Sequence, residues 1–147
     1  MPEVEFVILA NHAEAHNGLL YLAGAGWNDA ALAFTPDGPS VPLHFGVGVS
    51  VLVPWTQTNR KHHLEVRMEH EDGGDPMFQM GGDLEVGRPP GMQEGSDQRA
   101  VLAVDGITQF PTAGGYRIVA TVDSGKVRTV SFRVRNLGIM PSSQVAS

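Results

Sequence analysis

Histidine is the side chain in this sequence best suited to chemistry, because a neutral imidazole is the commonest protein ligand for transition metals. His12, Glu14 and His16 alternate in the segment HAEAH, so on a strand they share one face. The two histidines are four residues apart, which is about 13 Å along an extended chain. They can share a metal only if the Asn17–Gly18 turn bends the chain, and a polar strand end is the favoured interpretation.

Two further histidines, His62 and His63, are adjacent. On a strand they point to opposite faces, so they cannot chelate one ion together without a bulge. We expect His62 at the edge of the core and His63 facing solvent or a neighbour. His44 and His70 stand near strand ends, and the sequence leaves open whether any histidines meet in space. No metal or cofactor is therefore predicted, and the weak metal candidates are His12, His16, His62 and His63.

Methionine is the second residue type with metal chemistry, because soft thioethers select Cu(I). Met77 and Met80 form an M-x-x-M within the stretch 71–98, which holds seven glycines and three prolines. Methionine is also the adaptable filler of irregular core gaps and a frequent residue at binding surfaces. Packing beneath a loop is the favoured interpretation, and a protein-contact surface is the next.

Motifs of known enzyme classes are absent from the sequence, which has no G-x-S-x-G, no P-loop and no H-E-x-x-H. The acidic segment 71–75 lacks the residue order of a calcium loop. The G-x-G at 24–26 lacks the third glycine and the helix of a dinucleotide fingerprint. We therefore predict that the protein is not an enzyme.

Composition limits the partner classes. Ten basic and sixteen acidic residues give a net charge of −6, whereas nucleic-acid binding needs a positive surface. The chain has no cysteine, which excludes thiolate metal sites and disulfides. It has no run of about 18 apolar residues, and its first residues lack the pattern of a signal peptide. We expect a cytoplasmic protein that binds neither nucleic acid nor membrane.

Alternating apolar residues and turn signals recur along the chain, without sustained helical periodicity. This pattern predicts an all-β fold, an antiparallel β-sandwich of seven to eight strands. Tyr116 follows a proline- and glycine-bearing corner, where the tyrosine hydroxyl of an immunoglobulin-like sandwich fixes its Greek-key connections, and we therefore expect a fold of that kind. The predicted strands cover 3–15, 19–27, 43–53, 62–70, 83–86, 99–107, 115–122 and 126–134.

The strand 43–53 has one core face and one face with almost no side-chain bulk. The second face carries His44, Gly46, Gly48 and Ser50. Glycine inside a strand often marks the close approach of another segment. Three explanations stay open: a segment of the chain itself covers the face, a partner docks there, or a small ligand does. Cover by a loop or by the tail is favoured.

We expect a single domain over residues 1–136, with a long loop at 71–98 and a partly disordered tail at 137–147. The tail carries three apolar side chains, Leu137, Ile139 and Met140. They are predicted to cover the glycine-bearing face or to reach a partner subunit.

Four stretches of the sequence together resemble a family of small uncharacterised bacterial proteins. They are VILANHAEAHNGLLYLAGAGW (7–27), VLVPWTQTNRKHHLEVRMEHEDG (51–73), VGRPPG (86–91) and FPTAGGYRIVATVDSGKVRTVSFRV (110–134). That family is known only as a domain of unknown function with an immunoglobulin-like or β-sandwich fold. The resemblance therefore implies the fold, supplies no catalytic residue and leaves the function open.

By elimination, the sequence predicts a non-enzymatic protein-interaction module: an adaptor, an accessory subunit or a self-associating β-sandwich. A protein partner or a homo-oligomer is therefore expected. The alternative is a small-ligand or metal-binding β-sandwich that uses the histidines and the methionine-bearing loop. The residues assigned to a partner site are His44, Gly46, Gly48, Ser50, Met77, Met80, Leu137, Ile139 and Met140.

Overall fold

In a computed structural model, which describes residues 1–137, the chain forms ten β-strands and one short 3-10 helix at Trp55–Gln57. The strands are β1 (Glu3–Ala10), β2 (His12–His16), β3 (Leu19–Ala23), β4 (Asp29–Leu32), β5 (Leu43–Val53), β6 (Lys61–His70), β7 (Phe78–Glu85), β8 (Gln98–Thr108), β9 (Gly114–Val122) and β10 (Val127–Asn136). The predicted all-β class is confirmed. No helix within these residues is long and apolar enough to cross a membrane.

The strands form two facing sheets and one separate hairpin. One sheet has the order β1-β5-β8, the other has the order β4-β10-β9-β6-β7, and β2 pairs only with β3 among the described strands. The count exceeds the predicted seven to eight because residues 3–15 divide into β1 and β2 and because β4 was not predicted. The fold is also not purely antiparallel, since β4 and β10 run parallel. Arg135 fixes that pair by binding the Asp29 carboxylate through its Nε at 2.7 and 2.9 Å.

The core lies between the two sheets. Alternate residues of β5, from Phe45 to Val53, are fully buried, which confirms the predicted core face. Burying one such valine stabilises the fold by about 1.5–3 kcal/mol relative to leaving it exposed. The facing side chains of the larger sheet are Leu64, Val66, Met68, Tyr116, Ile118, Phe132 and Val134.

Tyr116 forms the predicted tyrosine corner. Its hydroxyl donates a hydrogen bond to the carbonyl of Thr112 at 2.6 Å, and its ring packs edge-on against Phe110 with the centroids 4.8 Å apart. The hydroxyl is thus satisfied although the residue is almost fully buried. The chain entering β9 is thereby tied to the corner that precedes it.

The stretch 71–98 is more regular than predicted. Strand β7 pairs with β6 along its whole length, from Phe78 opposite Met68 to Glu85 opposite Lys61. Phe78, Met80 and Leu84 alternate and pack on the core, and the neighbouring glycines hide this alternation in the sequence. The remaining loop is fastened by Arg88, whose Nε donates to Thr58 Oγ1 at 2.7 Å and whose guanidinium lies 3.9 Å from the centre of the Trp55 ring.

Candidate metal-binding site

The β2–β3 hairpin begins at Asn11, where the chain leaves the three-stranded sheet. The backbone N–H of Asn11 donates to the carbonyls of Ala23 and Gly24, at 3.0 and 3.2 Å. Asn17 and Gly18 have φ values of 52° and 75°, the left-handed pair that a tight hairpin turn requires. The hairpin lies on the outer face of the three-stranded sheet, the face turned away from the core.

Gly46 and Gly48 lie beneath the hairpin and make room for it. A Cβ on Gly46 would lie 2.6 Å from the backbone nitrogen of Ala13, and a Cβ on Gly48 would lie 2.7 Å from Leu20 Cδ2. Both glycines are buried, as is Ser50. The hairpin covers this part of the face, in agreement with the favoured explanation that a segment of the chain itself lies there. Because Gly46, Gly48 and Ser50 are buried, their assignment to an open partner surface is corrected.

Ser50 belongs to a polar cluster beside the hairpin. Its hydroxyl donates to Glu5 Oε1 at 2.7 Å, and Arg99 donates to both oxygens of Glu5 at 2.6 and 2.7 Å. The hydrogen bonds from Arg99 and then Ser50 lower the pKa of Glu5 to about 2. Glu5 stands on β1, Ser50 on β5 and Arg99 on β8, so these hydrogen bonds link all three strands of the sheet.

At the other end of the face, three side chains from three strands converge. They are His12 of β2, His44 of β5 and Asp105 of β8. His12 Nδ1 lies 3.3 Å from Asp105 Oδ2, and His44 Nε2 lies 3.8 Å from Asp105 Oδ1. One potential ligand atom from each residue lies within 4.8 Å of the other two. The two imidazole rings are nearly parallel, with their centroids 6.2 Å apart.

The backbone explains this convergence. Asp105 pairs directly with Gly46, and His44 pairs with Ile107, so His44 and Asp105 both face outward at neighbouring positions. Because Gly46 has no side chain, the backbone of β2 approaches β5 closely. The N–H of Ala13 then donates to Asp105 Oδ1 at 3.2 Å, which holds His12 beside the carboxylate.

Glu14 orients His12 from the opposite side of the ring. His12 Nε2 lies 2.8 Å from Glu14 Oε1, which leaves Nδ1 directed at Asp105. The hydrogen bond with Glu14 raises the pKa of His12 against the opposing effect of desolvation, and the Asp105 charge raises it further. In turn, the hydrogen bonds from His12 and then His16 lower the pKa of Glu14. A carboxylate on the second nitrogen is the usual support of a metal-ligating histidine.

The donor set of two imidazole nitrogens and one carboxylate suits divalent transition metals, zinc included. Ligand atoms around a tetrahedral zinc ion are about 3.3 Å apart, so the three groups must close by a small amount. The side chains of His12 and His44 are 43% and 49% exposed and can rotate. Three protein ligands leave at least one coordination position for water or a partner group.

The remaining histidines have other roles. His16 Nε2 lies 2.7 Å from Glu14 Oε2, so His12 and His16 flank one carboxylate and do not meet each other. The His62 side chain is only 2% exposed, and its two nitrogens lie 2.6 Å from Asp123 Oδ2 and 2.8 Å from the Gln57 carbonyl. Both positions predicted for the adjacent pair are confirmed, since His62 is buried and His63 is exposed.

The other predicted partner residues are dispersed. Met77 and Met80 are half-buried and pack on the core. Met80 lies in β7 of the five-stranded sheet, and Met77 precedes that strand. Leu137 is exposed and donates its backbone N–H to the Leu32 carbonyl at 2.9 Å. Ile139 and Met140 lie outside the described residues. The structure thus places His44 alone of the nine at the histidine cluster, and a partner role for Met77, Met80 and Leu137 stays a prediction.

Asp105 was not predicted as a site residue, and Glu14 was predicted to share a face with His12 and His16 but was given no role. Asp105 interrupts the apolar run AVLAVDGI, and a charge inside such a strand is a signal that could have singled it out. Glu14 stands between two histidines that it binds in the structure. The meeting of His12 with His44 has no local signal, because it depends on the hairpin folding back across β5.

Comparison with known proteins places this fold in a family. A model of a family of unknown function matches residues 5–135. The chain belongs to that family, DUF6941. The match confirms the resemblance to a domain of unknown function, and it spans His12, His44 and Asp105. No curated protein and no solved structure matches the chain. Membership in DUF6941 implies no activity, so any function must be inferred from the site itself.

Proposed function

We propose that the protein is a binding module that holds a divalent transition-metal ion between its hairpin and its sheet. The observation that carries the proposal is the convergence of His12, His44 and Asp105 within 4.8 Å. The contact between His12 and Glu14 at 2.8 Å supports it, because it presents the free nitrogen of His12 toward the other two ligands.

The nature of the donors selects among metals. Nitrogen and oxygen ligands favour Zn²⁺, Co²⁺ or Ni²⁺ over Cu(I), which prefers sulfur. The chain has no cysteine, and Met77 and Met80 belong to the opposite part of the sandwich. A bound ion would join β2 to β5 and β8, since each ligand stands on a different strand. It would therefore fasten the hairpin to the face that it covers.

The test uses untagged protein, stripped with a chelator and titrated with Zn²⁺ by calorimetry and with Co²⁺ by visible absorption. We expect one ion per chain. His44→Gln and Asp105→Asn should weaken binding at least about tenfold. Asp105→Asn retains an oxygen that can accept from Ala13, so it removes the charged ligand and keeps the hairpin contact.

His63→Gln is the matched control. His63 is an exposed histidine near two acids, with Nδ1 3.1 Å from Asp83 and Nε2 3.6 Å from Glu65, but it lies on the other sheet. This variant should bind the metal as the wild type does. Wild-type protein that binds no ion, or a His44→Gln variant that binds as tightly as the wild type, would refute the proposal.

A protein-interaction role is the second candidate. Ile107, which pairs with His44, is 69% exposed, and Leu19 and Tyr21 are exposed on the hairpin. Leu19 and Tyr21 pair with His16 and Glu14, so Ile107 is the exposed apolar side chain next to the cluster, and it suits a partner that completes the metal shell. A partner's loss of affinity on addition of chelator would separate this role from simple ion storage.

A further inference from the structure

Strand β8 forms one edge of the three-stranded sheet. Among residues 1–137 its single strand neighbour is β5, with which it pairs over all eleven residues without a register shift. Along its other side, the backbone N–H and C=O groups of β8 therefore pair with no described strand. Such an edge is a template for pairing with another chain.

Two other edges of the sandwich carry features that oppose pairing. Strand β1 has an irregularity between Val4 and Phe6, and β4 has only four residues. Strand β8 contains no proline and no lysine, and its centre is the apolar run Ala100–Val104. Natural sandwiches block long apolar edges of this kind, and no strand within residues 1–137 covers this one, so the edge suits a partner.

The sequence of β8 complements itself. A two-fold axis through Leu102, perpendicular to the sheet, sets Arg99 opposite Asp105 of a second copy at both ends of the pair. Shifting the register by two residues sets Asp105 opposite either Asp97 or Val101 of the second copy, and the charge match is lost. Opposite charges directly across an antiparallel pair stabilise it, and like charges destabilise it.

We propose that β8 pairs antiparallel with β8 of a second copy, in the register that sets Arg99 opposite the partner's Asp105. The two three-stranded sheets then form one sheet of six strands. Arg99 uses Nε and Nη2 on Glu5, and its remaining N–H donors can meet a second carboxylate. The pairing needs the strand edge and Asp105 but neither histidine, so it does not require a bound ion.

Two opposite charge changes test the register. In a homodimer of Arg99→Asp, the new aspartate would lie opposite Asp105 of the second copy. In a homodimer of Asp105→Arg, the new arginine would lie opposite Arg99 of the second copy. Each variant alone should be a monomer. An equimolar mixture of the two restores both opposite-charge pairs, so it should form a heterodimer. Arg133→Asp, an equivalent change at an exposed arginine of β10, should leave the wild-type dimer intact.

The measurement is sedimentation velocity with native mass spectrometry, in the presence of chelator, from about 1 μM to about 1 mM, the range over which weak complexes dissociate. Wild-type dimer, monomeric single variants and a heterodimeric mixture support the pairing. A wild-type monomer throughout, a variant that dimerises alone, or folded variants that stay monomeric when mixed would overturn it. If circular dichroism shows that a charge variant is unfolded, Val101→Lys tests the dimer in its place. A lysine at the centre of the edge should abolish the dimer, and a Val101→Lys dimer would overturn the pairing.

Discussion

Two histidine–aspartate contacts in this protein have opposite characters. His12 meets Asp105 at the hairpin, and His62 meets Asp123 at the edge of the core. Both pairs join a strand to a distant part of the chain. The first pair is half-exposed, and His44 lies close by. In the second pair the His62 side chain is buried, and among residues 1–137 no third histidine or carboxylate lies close enough to complete a metal site.

The buried pair is saturated. Nδ1 of His62 lies 2.6 Å from Asp123 Oδ2, and Nε2 lies 2.8 Å from the Gln57 carbonyl. Desolvation tends to raise the pKa of Asp123, but the hydrogen bonds from the His63 backbone and the His62 ring lower it overall. Both ring nitrogens of His62 therefore already have close oxygen partners in the protein, which is typical of a structural contact.

The hairpin pair is not saturated, because only Nε2 of His12 has a short hydrogen bond, at 2.8 Å to Glu14. The 3.3 Å and 3.8 Å separations around Asp105 leave room for an ion to draw the ligands together. Both places pair a histidine with an aspartate. A structural contact differs from a binding site in how deeply the pair is buried and in whether its polar atoms already have hydrogen-bond partners.

The largest effect should come from removing the buried ring. His62→Ala leaves a cavity and removes the ring that contacts Asp123 and the Gln57 carbonyl, so we expect the free energy of unfolding to fall by about 2–4 kcal/mol. His44→Ala, on the exposed cluster, should leave stability unchanged in the presence of chelator. Urea denaturation followed by circular dichroism measures both. Equal losses in the two variants would remove the contrast between the pairs.

The glycines beneath the hairpin should give the next effect. In Gly46→Ala the new Cβ meets the backbone of His12 and Ala13, which cannot yield locally, whereas in Gly48→Ala it meets only the ends of two leucine side chains. We expect Gly46→Ala to cost about 1–3 kcal/mol of stability and to weaken metal binding, because His12 is moved from Asp105. Gly48→Ala should lose less stability, as measured by denaturation, and less metal affinity, as measured by calorimetric titration. The reverse order would show that the hairpin does not position the ligand.

The smallest effect concerns pH. The pKa of His12 is raised above 6.5, first by its hydrogen bond with Glu14, and below that pKa a proton occupies the nitrogen that the metal needs. Zinc affinity should therefore be full above the raised pKa and fall as the pH drops through it. Glu14→Gln should lower affinity about tenfold at high pH and shift the midpoint of the decline to lower pH.

Calorimetric titrations from about pH 5 to about pH 8, where histidine changes charge, measure this profile. His16→Gln serves as the control, since His16 binds the same carboxylate from outside the ligand set. It should leave the decline in place. A midpoint that Glu14→Gln does not move would separate Glu14 from the protonation of His12.

Much of the fold follows from local pattern. The alternation from Phe45 to Val53 identifies a core strand, and the Asp123–Gly125 turn closes β9 onto β10 with Asp123 and Ser124 at φ values of 52° and 55°. The corner before Tyr116 is equally local. Strand β7 was predicted only over 83–86, because glycines replace side chains at its centre. Strand β4 was not predicted, because its four residues, DAAL, carry little periodicity.

The sequence by itself determined the all-β class, the core face of β5, the hairpin turns and the separation of His62 from His63, because these depend on residues that are neighbours in the chain. Tertiary structure decided that the chain bends at Asn11, that the hairpin covers Gly46 and Gly48, and that His12 meets His44 and Asp105. These contacts join strands far apart in sequence, and their formation depends on sheet register and on the absence of a side chain at Gly46. Strand periodicity is a local property, whereas the convergence of ligands is a property of packing.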